Sequence, residues 1–311
     1  MTPLVGGIEA GGTKFVCAVG TGPGDLRARC RIETSGPERT FAEVIAFFAE
    51  RRRRHGELAG VGIASFGPLD LDPRSPTWGF ITSTPKPGWA HVDFAGRIER
   101  ALGVPVGIDT DVNGAGLGEW EHGAARGVDD FIYLTVGTGI GGGGMSGGRL
   151  LHGLVHPEMG HVRIPHDRAA DPFAGSCPFH GDCLEGLASG PAIAARWGHP
   201  AEELAADHPA WPLEARYLAL ALANYVCTLS PRRIVLGGGV MNQPALLTMV
   251  RREVLELLAG YVRAPALLED VQGYIVAPTL GSQSGLFGAF ALAHRALRAG
   301  GAPPERATDA T

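Results

Sequence analysis

Four side chains of types that commonly bind metal ions occur close together in the middle of the sequence. Cys177, His180 and Cys183 fall within seven residues, and His161 precedes them as a possible fourth donor. Two thiolates and two imidazoles suit tetrahedral Zn2+ and leave no coordination position open for water. The pattern predicts a structural zinc site, and the alternative is two free cysteines near unrelated histidines. Three other histidines are interpreted as surface or loop residues: His152, His156 and His166.

Three glycine-rich turns form a second group, and each follows an apolar strand pattern. They are Gly11-Gly12-Thr13-Lys14, then Gly137-Thr138-Gly139 with four more glycines at 141–144, and Gly237-Gly238-Gly239. Glycine lets backbone N–H groups approach phosphate oxygens without obstruction from a Cβ atom. An ordinary hairpin turn would also explain the first of them. The three together favour a nucleotide as the ligand.

Two aspartates, Asp109 and Asp111, stand where an apolar strand pattern gives way to a helical one. A carboxylate at such a junction is often a helix N-cap. It could also be a general base at the carboxyl end of a strand. The residues alone leave both interpretations open.

The elements that must position these groups alternate between strand and helix, which predicts an α/β fold. The strand–Gly/Thr–strand pattern of 4–19 recurs at 131–144, and this repetition predicts two related lobes. Thr40 and Glu43 have the spacing of a capping box, which predicts that an amphipathic helix begins at Thr40.

Composition excludes several classes of protein. The 311 residues carry a net charge of −5 and are 45% hydrophobic, which argues against disorder and against a nucleic-acid or anionic-membrane partner. No apolar run is long enough to cross a membrane and no signal-peptide pattern opens the chain, so we expect a cytoplasmic protein. The basic residues are 25 arginines and only two lysines, Lys14 and Lys86.

Seven segments, in order along about residues 5–290, resemble the ROK family of sugar kinases, and within it the bacterial fructokinases. The segments are IEAGGTKF (8–15), SFGPLDLDPRSPTWGFITSTPKPGW (65–89), DTDVNGAGLGE (109–119), LTVGTGIGG (134–142), EMGH (158–161), CPFHGDCLEGLASGP (177–191) and LGGGV (236–240). A chance match of this length and order is implausible. ROK transcriptional repressors carry a DNA-binding helix-turn-helix ahead of the first phosphate loop, which here starts by residue 9.

The resemblance implies an actin-like ATPase fold of the hexokinase, ribonuclease H-like type, with two lobes around a cleft. Residues 1–115 would form the N-terminal lobe, completed by a C-terminal helix at 283–298. Residues 116–282 would form the C-terminal lobe, with the zinc loop and the nucleotide loops. The implied cofactors are ATP with Mg2+ and a structural Zn2+, and the implied partners are a hexose, with fructose favoured, and a second copy of the chain in a homodimer.

The resemblance also implies a role for each matching residue. Asp111 matches the catalytic aspartate, Glu158 and Glu185 match residues that bind sugar hydroxyls, and His161 matches a position that binds zinc and approaches the sugar. The positions that match nucleotide-binding residues are Gly11, Gly12, Thr13, Lys14, Gly137, Thr138, Gly139, Pro191, Gly237, Gly238, Gly239 and Met241. Glu9, Thr110 and His180 differ from the residues of ROK glucokinases, and these departures favour the fructokinases.

The expected activity is ATP-dependent phosphorylation of the fructose 6-hydroxyl. One alternative is a hexokinase, glucokinase or mannokinase of broader specificity. Another is a non-catalytic sugar-binding regulator, which could dispense with Asp111 and the phosphate turns. A zinc-dependent hydrolase would need an open metal position, and a closed Cys2His2 set argues against it.

Overall fold

The computed structural model describes residues 2–300, which divide into two compact units. Unit 1 runs to Arg126 and also includes His152–His156 and the chain from Leu280 onward, whereas unit 2 comprises Gly127–Leu151 and Pro157–Thr279. The sequence placed the first boundary near residue 115. The unit extends further because the helix that contains residue 115 packs against the last helix of the chain.

Unit 1 is built on a five-stranded mixed sheet. Its strands are β1 (Val5–Ala10), β2 (Lys14–Gly22), β3 (Asp25–Glu33), β4 (Gly60–Ser65) and β7 (Val106–Thr110), and a small ribbon pairs β5 (Phe80–Ile81) with β6 (Val92–Asp93). Strand order is β3-β2-β1-β4-β7, with β1, β4 and β7 parallel and the other pairs antiparallel. The helices are α1 (Pro37–His55), α2 (Phe94–Leu102), α3 (Asp111–His122) and α10 (Ser284–Arg298).

Helices α3 and α10 cross at very short range because glycines meet at the crossing. A Cβ atom on Gly288 would lie 1.7 Å from the Gly114 carbonyl oxygen, and one on Gly118 would lie 2.3 Å from that of Ser284. Any larger side chain at these positions would force the helices apart. Glu119, which is buried, joins the pair further by accepting a hydrogen bond from the Ser284 hydroxyl at 2.7 Å.

The first helix begins earlier than its sequence pattern predicts. Helix α1 starts at Pro37, with Gly36 as its N-cap, so the capping-box prediction at Thr40 was wrong. Pro37 occupies the first turn, where its missing N–H costs nothing and its fixed φ suits the helix. Thr40 is instead a buried residue inside the helix, and its hydroxyl accepts a hydrogen bond from the Ser35 amide.

Unit 2 contains a second five-stranded sheet. Its strands are β8 (Phe131–Val136), β9 (Ile140–Ser146), β10 (Arg149–Leu150), β11 (Arg233–Gly237) and β12 (Ile275–Val276), in the order β10-β9-β8-β11-β12. The helices are α4 (Leu184–Ala188), α5 (Gly190–Trp197), α6 (Ala210–Leu229), α7 (Leu246–Leu258), α8 (Pro265–Leu268) and α9 (Val271–Tyr274). A large apolar core surrounds this sheet and includes Trp211, Leu218, Leu222 and Ile234.

The two sheets share one topology. In each, three consecutive strands form an antiparallel meander. A fourth strand pairs in parallel with the first strand of the meander, and a fifth pairs in parallel with the fourth. The first turn of each meander is a glycine/threonine turn that the sequence pattern singled out. Over residues 2–300, no helix combines the length and the apolar character that crossing a bilayer requires.

Candidate active site

The three parallel strands of unit 1 end at one edge of its sheet. Ala10 of β1 is in register with Ser65 of β4, and Ser65 with Thr110 of β7. Asp111 follows at once as the first residue of α3, and the first glycine turn follows β1. The crossover topology thus places a carboxylate and a glycine turn at the carboxyl ends of two parallel strands, β7 and β1, that have only β4 between them, at the end of the sheet where α/β proteins commonly bind ligands.

Asp109 and Asp111 have different environments, which the sequence could not distinguish. The N-cap of α3 is Thr110, whose hydroxyl accepts a hydrogen bond from the Asn113 amide at 3.1 Å. Asp109 is buried and accepts from the Thr110 amide and the Asn113 side chain, each at 2.8 Å. Asp111 is half-buried, with Oδ1 accepting from the Val112 amide at 2.9 Å. Thr110 therefore supplies the side-chain cap of α3, and of the two aspartates Asp111 is the more accessible.

Two histidines of unit 1 have specific partners that the sequence did not reveal. His152 lies on a loop, and its Nε2 is 2.9 Å from Asp109 Oδ2, a hydrogen bond that raises the pKa of the imidazole. His156 lies on a loop, as the sequence interpretation allowed, but it is buried there and accepts a hydrogen bond from the Leu69 amide at 3.2 Å. Both partners are distant in sequence, and no local pattern identifies them.

The first glycine turn joins β1 to β2. The Gly11 amide donates to the Lys14 carbonyl at 2.9 Å, and Thr34 bonds to both the Gly11 and Thr13 carbonyls. A Cβ atom on Gly12 would have no described atom of the chain within 4 Å. The hydrogen bonds of Gly11 and Thr34 hold the turn in place, but packing within the described chain does not require glycine at position 12.

The second glycine turn joins β8 to β9 in unit 2. The Gly190 amide, at the start of α5, donates to the Gly137 carbonyl at 2.7 Å, and Pro191 lies in the first turn of that helix. Ser189 caps the helix by accepting from the Ala192 amide. A Cβ atom on Gly137 would contact no described atom within 4 Å, whereas one on Gly139 would lie 2.7 Å from Glu185 Oε2.

The third glycine turn follows β11, the parallel neighbour of β8, so it lies beside the second turn. Gly238 has φ of +99°, and a Cβ atom there would lie 2.3 Å from the Val136 carbonyl oxygen. A Cβ atom on Gly239 would meet no described atom within 4 Å. Met241 lies in the short 3-10 helix that continues from this turn.

The glycines that follow the second turn serve the fold of unit 2. Residues 141–144 belong to β9, where a Cβ on Gly142 would lie 2.6 Å from Met159 Cβ and one on Gly144 would lie 2.3 Å from the Phe131 carbonyl oxygen. Their number had been attributed to close approach by a ligand. At Gly142 and Gly144, the group that approaches is the chain itself.

The predicted metal ligands form one cluster. The donor atoms of His161, Cys177, His180 and Cys183 all lie within 4.8 Å of one another. Cys177 Sγ is 3.8 Å from His161 Nδ1 and 3.6 Å from His180 Nδ1, and Cys183 Sγ is 3.6 Å from His161 Nδ1. Ordinary Zn–S and Zn–N bond lengths at a tetrahedral angle give sulfur–nitrogen separations of about 3.6 Å. These four residues could hold a tetrahedral metal ion.

The metal-ligand loop is braced by Asp182, which precedes Cys183. Its carboxylate pairs with Arg163 at 2.8 Å, Arg168 at 2.7 Å and His166 at 3.3 Å, and the His166 contact is the main cause of its lowered pKa. His166 lies on a loop, as the sequence interpretation allowed, but its side chain is only 4% exposed and is not a surface group. The loop is thus held in position by charges on several segments of unit 2.

Glu158 and Glu185 flank the metal-ligand cluster in the sequence and differ in their surroundings. Glu158 is exposed and caps the short 3-10 helix Met159–His161, which Tyr225 anchors by donating to the Met159 carbonyl. Glu185 is partly buried in α4, where Oε2 accepts from the Ile140 amide at 2.8 Å and Oε1 lies 3.9 Å from His161 Nε2. Both carboxylates can accept hydrogen bonds from hydroxyl groups.

Comparison with known proteins agrees with this architecture. The ROK family model matches residues 5–296. The putative fructokinase of Bacillus subtilis (strain 168) is 47% identical over 302 residues, 97% of this chain and 99% of that protein. The fructokinase of Zymomonas mobilis is 46% identical over 299 residues, 93% and 96% of the two chains. The crystal structure of a ROK hexokinase from Thermus thermophilus superposes with a TM-score of 0.78 at 30% identity, covering 96% and 100%.

The chain therefore belongs to the ROK family. Its fold is the α/β, actin-like ATPase fold of the ROK hexokinases, and both sequence-based predictions are confirmed.

Proposed function

We propose that this protein is a fructokinase that transfers the terminal phosphoryl group of ATP to the 6-hydroxyl of fructose. The observation that carries the proposal is near-full-length identity of 46–47% to a fructokinase and a putative fructokinase. The local geometry supports it, because each proposed catalytic group stands at a strand end or helix start that holds it in place.

The proposal assigns the general base to Asp111. Its half-buried carboxylate begins α3, and the neighbouring Asp109 is committed to hydrogen bonds with Thr110, Asn113 and His152. Asp111 would accept the proton of the sugar hydroxyl as that oxygen attacks the terminal phosphorus. Deprotonation makes the hydroxyl oxygen a stronger nucleophile.

Backbone amides of the three glycine turns are proposed to hold the nucleotide. Each turn has one glycine at which a Cβ atom would meet no described atom within 4 Å, so that packing within the described chain does not require glycine there. These open glycines are Gly12, Gly137 and Gly239. The assigned nucleotide-binding set also includes Gly11, Thr13, Lys14, Thr138, Gly139, Pro191, Gly237, Gly238 and Met241. Mg2+ bound with ATP would supply neutralisation of the phosphate charge.

The sugar is proposed to bind through Glu158, His161 and Glu185. The two carboxylates would accept hydrogen bonds from a neutral polyol, which fixes the orientation of the attacking hydroxyl. A structural Zn2+ on His161, Cys177, His180 and Cys183 would fasten the loop that bears Glu185. In its absence, burial raises the pKa of the Cys183 thiol to about 11, so binding of the cation would be coupled to loss of the thiol proton.

A substrate panel tests the proposal directly. We expect ATP-dependent ADP release with fructose, at a kcat/KM higher than with glucose, mannose or N-acetylated hexosamines, and fructose 6-phosphate as the product. A preference for glucose would instead identify a hexokinase of broader specificity. Sugar binding with no ADP release from any hexose would support a non-catalytic regulator.

The remaining assignments are a cytoplasmic location, which is the expectation from the sequence itself, and a homodimer, which the family resemblance implies. Light scattering of the purified protein measures its molar mass in solution and so tests whether it is a dimer. Fractionation of the producing cell tests the location.

A further inference from the structure

Two lysines occur in a chain that otherwise uses arginine, and both lie at the first glycine turn. Lys14 closes the turn, where its carbonyl accepts from the Gly11 amide. Lys86 is more than seventy residues away in sequence, yet its ammonium donates to the Gly12 carbonyl and lies 5.9 Å from the centroid of the Phe66 ring. No role for Lys86 follows from the sequence pattern alone.

The loop that carries Lys86 is firmly held. The Lys86 amide donates to the Thr84 hydroxyl, and the Lys86 carbonyl accepts from the Trp89 amide at 3.1 Å. Trp89 is fully buried, packs against Phe15 and Phe41, and donates from its indole nitrogen to the Ser35 carbonyl at 2.8 Å. This anchor delivers the lysine side chain to the glycine turn.

The charge of Lys86 is not matched by any carboxylate in the part of the chain that the structure describes. Across residues 2–300, no carboxylate lies within ion-pair distance of its ammonium, whereas many arginines of the same unit are paired with acids. An ammonium has three donor hydrogens, and the Gly12 carbonyl takes one. Two donors and a full positive charge remain for an anion at a turn whose backbone is already suited to phosphate.

The position of Lys86 along the sheet edge indicates which phosphate it would meet. The Gly12 turn follows β1, Phe66 follows β4, and the proposed base Asp111 follows β7, and these are adjacent parallel strands in register. Neighbouring strands are about 4.8 Å apart, so the strand ends before the turn and before the base are separated by about 10 Å. The phosphoryl group that the base-activated hydroxyl attacks must lie close to that base, within the same stretch of sheet edge.

We propose that the ammonium of Lys86 contacts the terminal phosphoryl group of ATP and is a further catalytic residue. The inference rests on the proposed kinase function. As charge develops on the transferred group, the ammonium stabilises its oxygens, and it does so from a loop already fixed by Trp89. Lys is suited to this work as a compact point charge.

Nucleotide binding by Lys86→Met tests the assignment, because methionine keeps the apolar stem over Phe66 and removes the charge. We expect the Kd of a non-hydrolysable ATP analogue to rise about tenfold, while the Kd of ADP changes less than about twofold. We expect kcat with fructose to fall about 100-fold, and Lys86→Arg to recover part of that loss. The control is Arg74→Met, in the preceding loop between β4 and β5, whose guanidinium pairs with Asp72 and which should behave as wild type.

Equal weakening of ATP-analogue and ADP binding would overturn the assignment, because it would mean that Lys86 only braces the turn. Unchanged binding and unchanged kcat would overturn it as well. The two proposals fail differently. If Lys86→Met weakens binding of the ATP analogue more than binding of ADP, but the wild-type protein phosphorylates no hexose, only the fructokinase proposal is contradicted. Wild-type protein that binds neither nucleotide would contradict both.

Discussion

Glu185 lies against the second glycine turn, because a Cβ atom on Gly139 would lie 2.7 Å from Glu185 Oε2 and would displace this carboxylate. The same carboxylate accepts a hydrogen bond from the Ile140 amide and places its other oxygen 3.9 Å from His161 Nε2. One side chain of unit 2 thus connects the metal-ligand cluster to a turn proposed to bind phosphate. Loss of the metal should therefore change the position of Glu185 and, with it, the conformation of that turn.

Replacing Asp111 with asparagine should remove the proposed base while keeping the shape of the side chain. We expect kcat with fructose to fall by about 10²–10⁴-fold, while the Kd of fructose stays within about tenfold. Steady-state kinetics and calorimetric binding measure the two quantities. Asp207→Asn, an exposed change in unit 2, is the control and should have no effect. A near-normal kcat in Asp111→Asn would contradict the assignment.

Alanine substitutions should separate glycines that face a ligand from glycines that the fold requires. At Gly12, Gly137 and Gly239 a Cβ meets no described atom within 4 Å, and none of the three has positive φ. We expect alanine there to leave the free energy of unfolding within about 1 kcal/mol of wild type and to raise the KM for ATP.

Gly142→Ala is the matched control, because its Cβ would lie 2.6 Å from Met159. It should lower stability by about 1–3 kcal/mol. Urea unfolding and ATP saturation curves measure both effects. Wild-type KM values in all three open-glycine variants would exclude these turns from nucleotide binding.

Metal analysis of the purified protein should find about one zinc per chain. Cys177→Ser should lose the metal and lower the Tm, because the binding free energy of a structural ion contributes to folding. Cys227→Ser, at an exposed position of α6, should retain both metal and stability. Metal-free wild-type protein with full stability and activity would exclude a structural zinc.

Stability should depend on pH through Glu214, whose two carboxyl oxygens are buried in α6 with no hydrogen-bond partner among the described residues. Burial raises its pKa well above the ordinary value of 4.5. The folded state therefore holds a proton that the unfolded state releases as the pH rises above about 4.5. Stability is retained at low pH and is lost as the pH rises through the folded-state pKa.

Glu214→Gln removes this titration. Its free energy of unfolding relative to wild type should increase between pH 5 and pH 8 by about 1 kcal/mol or more. Glu202→Gln, the same change at an exposed position, should give a difference that does not vary with pH. Urea unfolding at the two pH values measures both, and a flat difference for Glu214→Gln would show that the carboxyl ionises freely in the folded protein.

Local patterns were sufficient for the repeated part of the fold. The strand–Gly/Thr–strand pattern predicted the first two strands of each meander, and the spacing of Cys177, His180 and Cys183 predicted residues that the structure gathers with His161. These features depend on residues that are near one another in sequence or that alternate with a fixed period. They can therefore be recognised before any tertiary contact is known.

The predictions that failed depended on neighbours remote in sequence or on competition between local signals. Gly142 and Gly144 contact Met159 and Phe131, and nothing in a glycine run says whether a ligand or the chain will approach it. The loop position of His156 agrees with its interpretation, but its burial against Leu69 was not foreseen, because no spacing rule identifies that partner. At α1, a proline in the first helical turn took precedence over a valid capping-box spacing.

The crossing of α3 and α10 has a consequence for the order in which the protein can mature. Gly114 and Gly118 of α3 are shaped to receive α10, and α10 also covers strands β1, β4 and β7. A ribosome releases α3 long before α10, so unit 1 lacks its central packing partner until nearly the whole chain has been made. The helix that begins with the proposed base is therefore among the last parts to reach its final surroundings, and chains that stop before α10 should be inactive even though every proposed site residue is present.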